Sequence, residues 1–379
     1  MNINIRVKKV IRNCKKTCKK CLSVYEKYFR KLIFFVNNII LYFKPLKSVT
    51  VIIPTYIDNE YIYYCIQSVL EQKKIPQKKL EIIIVVNGQA VSYYKKLKKL
   101  YSVNKNIKVI YTSKQGSSVA RNLAMTKVTK DCFTFLDDDD YLQPYFLYVG
   151  LKKITPKIDI VCLPMIDSEE GVYNEDTYIN RVLKEFPYLK TKEINKVGSL
   201  LSSACSKIYS SYLLNDIVYF KEDLKHTEDV IFWVDNIQNI NKNIFCMDVK
   251  NGTAYVRRVI KNSMSRPEKK NQFKFYVTDR IKIIEYINNK IFNTCFNIEI
   301  KRFYLNKLKA QTNLLIDFYN KSSQKDKEKI ITHVHKNNSF YFNKSFSYKN
   351  NGIAFCHNFP PFSDSSSIVS AKRLANFPV

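Results

Sequence analysis

The sequence predicts an α/β fold built on a mostly parallel sheet flanked by helices, and three observations carry that prediction. Short runs rich in β-branched and aromatic residues recur between Val49 and Leu136. Segments with helical spacing of apolar residues separate them. The chain is 46% hydrophobic and 14% aromatic, enough to bury a sizeable core and to exclude a globally disordered protein.

Taken in order, the apolar runs are Val49–Ile53, Ile82–Val86, Ile107–Tyr111 and Cys132–Leu136. Each is apolar on both faces, as strands buried in a parallel sheet are. The first connecting helix carries Ile62, Ile66, Val69 and Leu70 and takes Asp58 or Asn59 as its cap. A second covers Ser92 to Tyr101, and a third starts near Ser117 or Ser118 and runs through Met125. Such alternation implies right-handed crossovers. Ligands of these sheets bind outside the carboxyl ends of the strands. Pro54–Tyr56, Asn87–Gly88, Gln115–Ser118 and Asp137–Asp140 should therefore share one cleft.

Further along, Asp159–Met165 reads as another strand. Thr227 is placed to cap a helix with Glu228 and Asp229 in its first turn and Val230, Ile231 and Trp233 on its apolar face. Phe273–Asn288 and Ile300–Tyr319 read as helices and Asn337–Asn351 as a linker. Gly352–Cys356 reads as a strand, followed by the loop Phe359–Phe362 and a helix capped at Ser363–Ser367 that ends near Ala375. The expected domains are residues 1–47, 48–260, 261–350 and 351–379.

The chain of 379 residues carries 63 basic and 33 acidic side chains, for a net charge of +30. Residues 1–47 hold thirteen Lys or Arg against one Glu. Their apolar positions, from Val10 through Cys14, Cys18, Cys21, Tyr25, Tyr28, Leu32 and Phe35 to Ile39, step by three or four, as a helix requires. This basic amphipathic helix suits an anionic membrane surface, an ordinary docked helix, or a nucleic-acid backbone. Its three cysteines lie on the apolar stripe with no fourth ligand nearby, which speaks against zinc. The other cysteines stand singly in apolar stretches, as in a reducing compartment. No run reaches the ~18 apolar residues of a membrane span; Leu32–Phe43 is shorter, is interrupted at Asn37 and Asn38, and lacks a signal-peptide cleavage pattern.

The four consecutive aspartates Asp137–Asp140 are the most informative feature. Like charges so crowded need compensation, and a hard divalent cation with oxygen ligands supplies it. A solvated acidic turn is the alternative, less suited to the end of an apolar strand.

Four blocks then stand out: Val51-Ile-Ile-Pro-Thr-Tyr56, Glu81-Ile-Ile-Ile-Val-Val-Asn-Gly88, Gln115-Gly-Ser-Ser-Val-Ala-Arg-Asn122 and Phe135-Leu-Asp-Asp-Asp-Asp-Tyr-Leu142. In this order and spacing they resemble the successive motifs of family 2 glycosyltransferases, inverting enzymes of GT-A fold, over roughly residues 48–260. The resemblance implies a transferase of hexosyl type and a role for each matching residue. Pro54, Thr55 and Tyr56 would line the nucleobase and ribose pocket. Arg121 would sit near the nucleotide, with an ordinary surface ion pair as its rival role. Asp137 would face the ribose and metal, Asp138 would belong to the nucleotide-sugar contacts, and Asp139 would be the main ligand of Mn²⁺ or Mg²⁺.

Where the family usually has Asp, accepting a hydrogen bond from uracil, this chain has Asn87. Asn both accepts and donates, so a CDP-linked donor becomes admissible beside a UDP-linked one. Thr227-Glu-Asp229 matches the catalytic spelling of processive relatives and makes Asp229 the general base, with Glu228 in reserve. Tyr255–Ser265 resembles the closing block, in which Arg258 or Arg257 would clamp the diphosphate; the metal-binding His of several relatives is missing. Ser203–Tyr209 matches a family segment to which no role is assigned. Residues 352–379 resemble the opening of a GT-B domain.

Together these imply a nucleotide-sugar donor, a glycan or lipid-linked glycan acceptor of a bacterial surface polymer, and a place on the inner face of the cytoplasmic membrane. A basic nucleic-acid-binding protein is the rival from another class, supported by charge alone. An inactive membrane-held scaffold is the third reading, opposed by intact Asp139 and Asp229.

Overall fold

The computed structural model describes residues 45–224, 226–240, 242–260, 268–293, 298–336, 346–349 and 352–355. The expected basic helix with Cys14, Cys18 and Cys21 lies outside the described residues, as do Lys261–Ser265, the loop Phe359–Phe362 and the final helix. The chain divides into two compact units, one up to Ile260 and one from Lys261.

The first unit opens with β1 (Val49–Thr55), α1 (Tyr61–Leu70), β2 (Leu80–Asn87), α2 (Val91–Leu100), β3 (Ile107–Thr112), α3 (Ser117–Met125) and β4 (Cys132–Phe135). These are the four strands and three helices anticipated from periodicity, shifted by one or two residues at their ends. β1 pairs in parallel with β2 and with β4, and β2 with β3. Val51, Ile52, Ile53, Ile82, Ile83 and Ile84 are all completely buried, so both faces of the sheet are covered. Each such side chain contributes roughly 1.5–3 kcal/mol of transfer free energy. Asn59 caps α1 through its Oδ1, which accepts the Ile62 N–H at 3.1 Å. Asp58 instead pairs with Lys96 at 2.6 Å.

There follow β5 (Tyr141–Leu142), α4 (Phe146–Leu151), β6 (Ile158–Cys162), β7 (Met165–Glu169), β8 (Val172–Asn174), α5 (Tyr178–Glu185), β9 (Lys190–Thr191), α6 (Ile194–Val197), β10 (Lys207–Ser210), α7 (Glu228–Asn236), β11 (Asn243–Cys246) and β12 (Tyr255–Arg258). The main sheet has the order β3-β2-β1-β4-β10-β6-β11-β9, with β10 antiparallel to both neighbours. A second sheet has the order β5-β12-β7-β8. The single strand expected over Asp159–Met165 is instead two strands in different sheets. The break falls at Leu163-Pro164, where proline has no N–H for a ladder. Leu163 N–H turns to Ser206 O at 2.9 Å, and Pro164 O accepts Tyr255 N–H at 2.9 Å.

Behind the site, β10 and α7 pack through aromatic rings. Tyr209 stacks on Phe133 at 4.9 Å and on Trp233 at 6.0 Å. The second unit holds α8 (Lys269–Phe273), a π-helical turn (Lys274–Thr278), α9 (Asp279–Asn293), α10 (Ile298–Lys321) and α11 (Gln324–Lys336). Phe303, Tyr304, Leu308 and Leu315 form the buried stripe of α10. Phe346–Lys349 and Gly352–Phe355 make an antiparallel hairpin. The strand expected from Gly352 is found, but its partner occupies what the sequence suggested was linker.

Candidate active site

The first three β strands and β4 deliver their carboxyl ends to one place, and the four aspartates leave β4 there with four different environments. Asp137 accepts from Arg121 Nη2 at 2.8 Å through Oδ1 and faces the Cys205 thiol at 3.6 Å through Oδ2. Asp138 accepts the Thr55 hydroxyl at 2.5 Å. Asp140 is buried and accepts the Tyr255 hydroxyl at 2.5 Å and the Arg258 backbone N–H at 2.8 Å. No described side chain donates to the Asp139 carboxylate; Arg258 reaches only the Asp139 carbonyl, through Nη1 at 2.7 Å.

Burial, with the neighbouring carboxylates adding to it, raises Asp138 to about 7 and Asp139 to about 6, and pushes Asp140 well above the ordinary carboxylate range. The turn is short of positive charge.

Helix α7 faces this turn with Glu228 and Asp229, and Arg121 lies between. Arg121 is 4% exposed, so its rival role as a surface ion pair is excluded. Its Nη1 meets Glu228 at 2.9 Å and Asp229 at 3.5 Å while Nη2 holds Asp137. Burial pulls the guanidinium pKa down, but the three carboxylates outweigh it and hold it well above the usual value. One cation thus serves three anions.

Glu228 also accepts the Ser117 hydroxyl at 3.1 Å, and its side chain is 12% exposed. Asp229 is more open, at 21%; its Oδ2 accepts the Ala204 N–H at 2.9 Å. Burial raises Asp229 to about 6, with Glu228 adding to the rise and Arg121 opposing it. Thr227 precedes the helix as expected but does not cap it. It sits in the left-handed region at φ +63° and its hydroxyl makes no capping bond, so Arg121 and Ser117 engage the first-turn acids instead.

The other expected residues are placed as follows. Pro54 and Thr55 close β1 and are buried; the Thr55 hydroxyl also lies 3.2 Å from Tyr93 Oη. Tyr56 is half exposed beyond them. Asn87 is buried at the end of β2. Its Nδ2 donates to Thr55 O at 2.8 Å, and its Oδ1 accepts the Gly116 N–H at 2.9 Å, so it ties three loop ends together. Gly116, at φ +141°, adopts backbone angles closed to most side chains as the chain enters α3. Arg258 packs its guanidinium against Tyr61 and Tyr141 at 4.9 and 4.8 Å. Arg257 instead forms a two-pronged pair with Asp167, at 2.8 and 2.9 Å. Of the two clamp candidates, Arg258 is the one that meets the acidic turn.

Two groups of site residues received no role from the sequence. Tyr255 donates to Asp140 and accepts the Asp137 N–H at 3.2 Å, which fixes the turn from beneath. Its position in the closing block was a signal, but nothing in the spelling separates it from a core tyrosine. Ser203–Lys207 faces both Asp137 and Asp229, and only the fold brings it there.

The donor set suits a divalent cation. Asp139 and Asp137 offer hard oxygens on one turn, and burial together with the Asp137 charge holds Asp139 above the ordinary carboxylate range. Among the described residues no cluster of three or more His, Cys, Asp or Glu is arranged to hold a metal. A site of one or two carboxylates is still the ordinary arrangement for a cation shared with substrate phosphates.

Residues 50–216 match the model of "Glycosyl transferase family 2". The chain is 25% identical over 222 residues to the glycosyltransferase GlyA of Streptococcus pneumoniae, covering 54% of this chain and 31% of that one. It is 26% identical over 196 residues to the poly(ribitol-phosphate) beta-N-acetylglucosaminyltransferase TarS of Staphylococcus aureus, covering 51% and 33%. The chain thus spans about a third of the length of these curated relatives. Among solved structures, S. aureus TarS 1-349 in complex with UDP-GlcNAc superposes with a TM-score of 0.59 at 21% identity, over 76% of this chain and 80% of that one. That is a likeness of fold.

Proposed function

From the match of residues 50–216 to the model of glycosyl transferase family 2, we propose that the chain is an inverting glycosyltransferase. It moves a sugar from a nucleotide-diphosphate donor, UDP-linked in the first instance, to a hydroxyl of a bacterial surface glycan. The relatives named above support the class of donor and polymer. The observation that carries the reading is the Arg121 bridge, which sets a carboxylate suited to act as base opposite an acidic turn short of positive charge.

The chemistry divides between these two ends. Asp229 accepts the proton of the acceptor hydroxyl as attack begins, for a hydroxyl is a poor nucleophile without a base. Its pKa near 6 leaves it ionised at neutral pH yet more basic than an exposed aspartate. Glu228, held by Arg121 and Ser117, positions the helix end and stays the reserve base. At the other end Asp139, with Asp137, would hold Mn²⁺ or Mg²⁺, which when bound offsets the charge of the departing diphosphate. Arg258, steadied by Tyr61 and Tyr141, adds a fixed cation at the same turn. Tyr56 offers an exposed ring for the nucleobase, and Asn87 shapes the floor beneath it. Base and diphosphate on opposite sides of the sugar produce inversion.

Among the described residues no helix is long and apolar enough to cross a membrane. The net charge of +30 supports a peripheral place on an anionic inner membrane face. The test is a donor screen with UDP-, CDP- and GDP-sugars, with and without Mn²⁺ or Mg²⁺, read by release of free nucleotide. Metal-dependent release from one donor class supports the proposal. No release from any of them by folded protein overturns it.

A further inference from the structure

The segment Ser203–Lys207 leads into β10, in the middle of the main sheet. The carbonyls of Ser203, Ala204 and Cys205 each meet a buried side-chain donor, while Ser206 O accepts the Leu163 backbone N–H. Ser203 O accepts from Lys207 Nζ at 2.7 Å and from Trp233 Nε1 at 3.0 Å. Ala204 O accepts from Tyr209 Oη at 2.6 Å. Cys205 O accepts from Lys207 Nζ at 3.1 Å. Ser206, at φ +60°, completes the reversal and anchors it with its hydroxyl on Leu163 O at 2.7 Å and Pro164 O at 3.1 Å.

Two donors of the loop meet the acidic residues, while the Cys205 N–H stays within the loop on Ser203 Oγ at 3.1 Å. The Ala204 N–H meets Asp229 Oδ2 at 2.9 Å, and the Cys205 thiol faces Asp137 Oδ2 at 3.6 Å. The loop therefore presents one backbone N–H to Asp229 and one thiol to Asp137.

Lys207 is the unusual member. It is 1% exposed, and none of the described ion pairs includes it. Its ammonium lies 5.7 Å from the centre of the Trp233 ring. Burial lowers its pKa. For packing alone an apolar side chain of similar length costs less than a desolvated ammonium. What the ammonium does here that an apolar chain cannot is satisfy two carbonyls of one tight loop at once and fix the direction in which that loop's N–H groups point.

We propose that Lys207 is a positioning residue for the general base: from the buried layer between β10 and α7 it locks the Ser203–Ser206 loop in the one orientation that holds the Asp229 carboxylate by the Ala204 N–H. Tyr209 and Trp233 assist it from the same buried side. The proposal rests on the reading of Asp229 as base and adds what sets its orientation.

The test is a double-mutant cycle on the full chain, using Lys207→Met, Asp229→Asn and the two combined. UDP binding by calorimetry reports the fraction of folded, donor-competent protein, and kcat is normalised to it. In the wild-type background Lys207→Met should lower kcat by about 10- to 100-fold, as a misplaced catalytic group does, with donor affinity within about twofold. In the Asp229→Asn background it should lower the residual rate no further. Tyr209→Phe, which removes one loop donor and little volume, should give a smaller loss with the same dependence on Asp229. Equal fold-losses in both backgrounds, or a normal kcat in folded Lys207→Met, overturn the clamp while leaving the base assignment intact. Wild-type kcat in Asp229→Asn itself overturns the base assignment.

Discussion

Arg121 and Glu228 stand 107 positions apart in the chain, and their side chains meet at 2.9 Å in the interior of the site. The same guanidinium reaches Asp137 at 2.8 Å with its other nitrogen. The helix that bears the proposed base and the turn that bears the proposed metal ligands are thus joined by one planar, permanently charged group. An ammonium cannot duplicate this fork.

Removing the bridge should therefore be costly in two ways. Arg121→Gln leaves Asp137, Glu228 and Asp229 facing one another without a cation, and loss of one partner of a buried pair costs about 3–5 kcal/mol. Thermal melting should show that loss, and transfer should vanish. Arg121→Lys keeps the charge but not the fork and should retain stability better than activity, with kcat down about tenfold or more. A stability change under ~1 kcal/mol for Arg121→Gln would contradict this account of the network.

Asp229, raised to about 6, must be ionised to act as base. The rate kcat should rise with pH through about 6 and level off above it. Because Glu228 raises Asp229, Glu228→Gln should shift that limb to lower pH. Because Arg121 lowers it, loss of the guanidinium should shift the limb to higher pH in any residual activity. A profile flat between pH 5 and 8 would speak against Asp229 as the group that titrates.

Much of this site was legible in the residues because its parts have strong local signals. β-branched runs give strands at Val49, Ile82 and Ile107, the first two buried throughout and the third a half-buried sheet edge. Four adjacent aspartates at the end of an apolar strand are poorly explained as a solvated turn, and Thr227-Glu228-Asp229 carries its own spelling. What was not legible depends on long-range partners. Arg257 and Arg258 are adjacent and chemically identical, and only the position of Asp167 on the neighbouring strand separates them. Strand β5 has two residues and no period to read. Thr227 has the side chain of a cap but not the backbone angles. Lys207 reads as a surface lysine until β10 is placed in mid-sheet between β4 and β6.

The crowded turn makes stability depend on pH and metal together. Asp138 near 7 and Asp139 near 6 bind protons in the folded state at pH values where the unfolded chain has released them. Their contribution to stability is thus present below about pH 4 and is lost as pH rises through 6 to 7. Metal-free protein should melt at a lower temperature at pH 7.5 than at pH 5.5 as far as these groups decide it. Mn²⁺ should raise the melting temperature at pH 7.5 and do less at pH 5.5. Asp139→Asn should raise the metal-free melting temperature by a few degrees and abolish the Mn²⁺ response. A Mn²⁺ shift that survives in Asp139→Asn would move the ligand elsewhere.

Asn87 gives a separate test of how the nucleotide end is built. Its amide N–H₂ faces the Thr55 carbonyl at 2.8 Å, so Asn87→Asp puts two acceptors face to face. The cost should be about 1–3 kcal/mol by denaturant titration. A CDP-sugar turned over beside a UDP-sugar by the wild-type protein, and lost first in this variant, would tie Asn87 to donor choice. Turnover of UDP-sugars alone, in both proteins, would leave Asn87 a purely architectural residue.

The most direct test of the central claim compares donor binding and sugar transfer in Asp229→Asn on one preparation. The account predicts a UDP-sugar affinity within about twofold of wild type and a transfer rate reduced by about a thousandfold, in the middle of the range for loss of a general base. Transfer within a factor of ten of wild type, with Glu228→Gln inactive instead, would contradict it and assign the proton to Glu228.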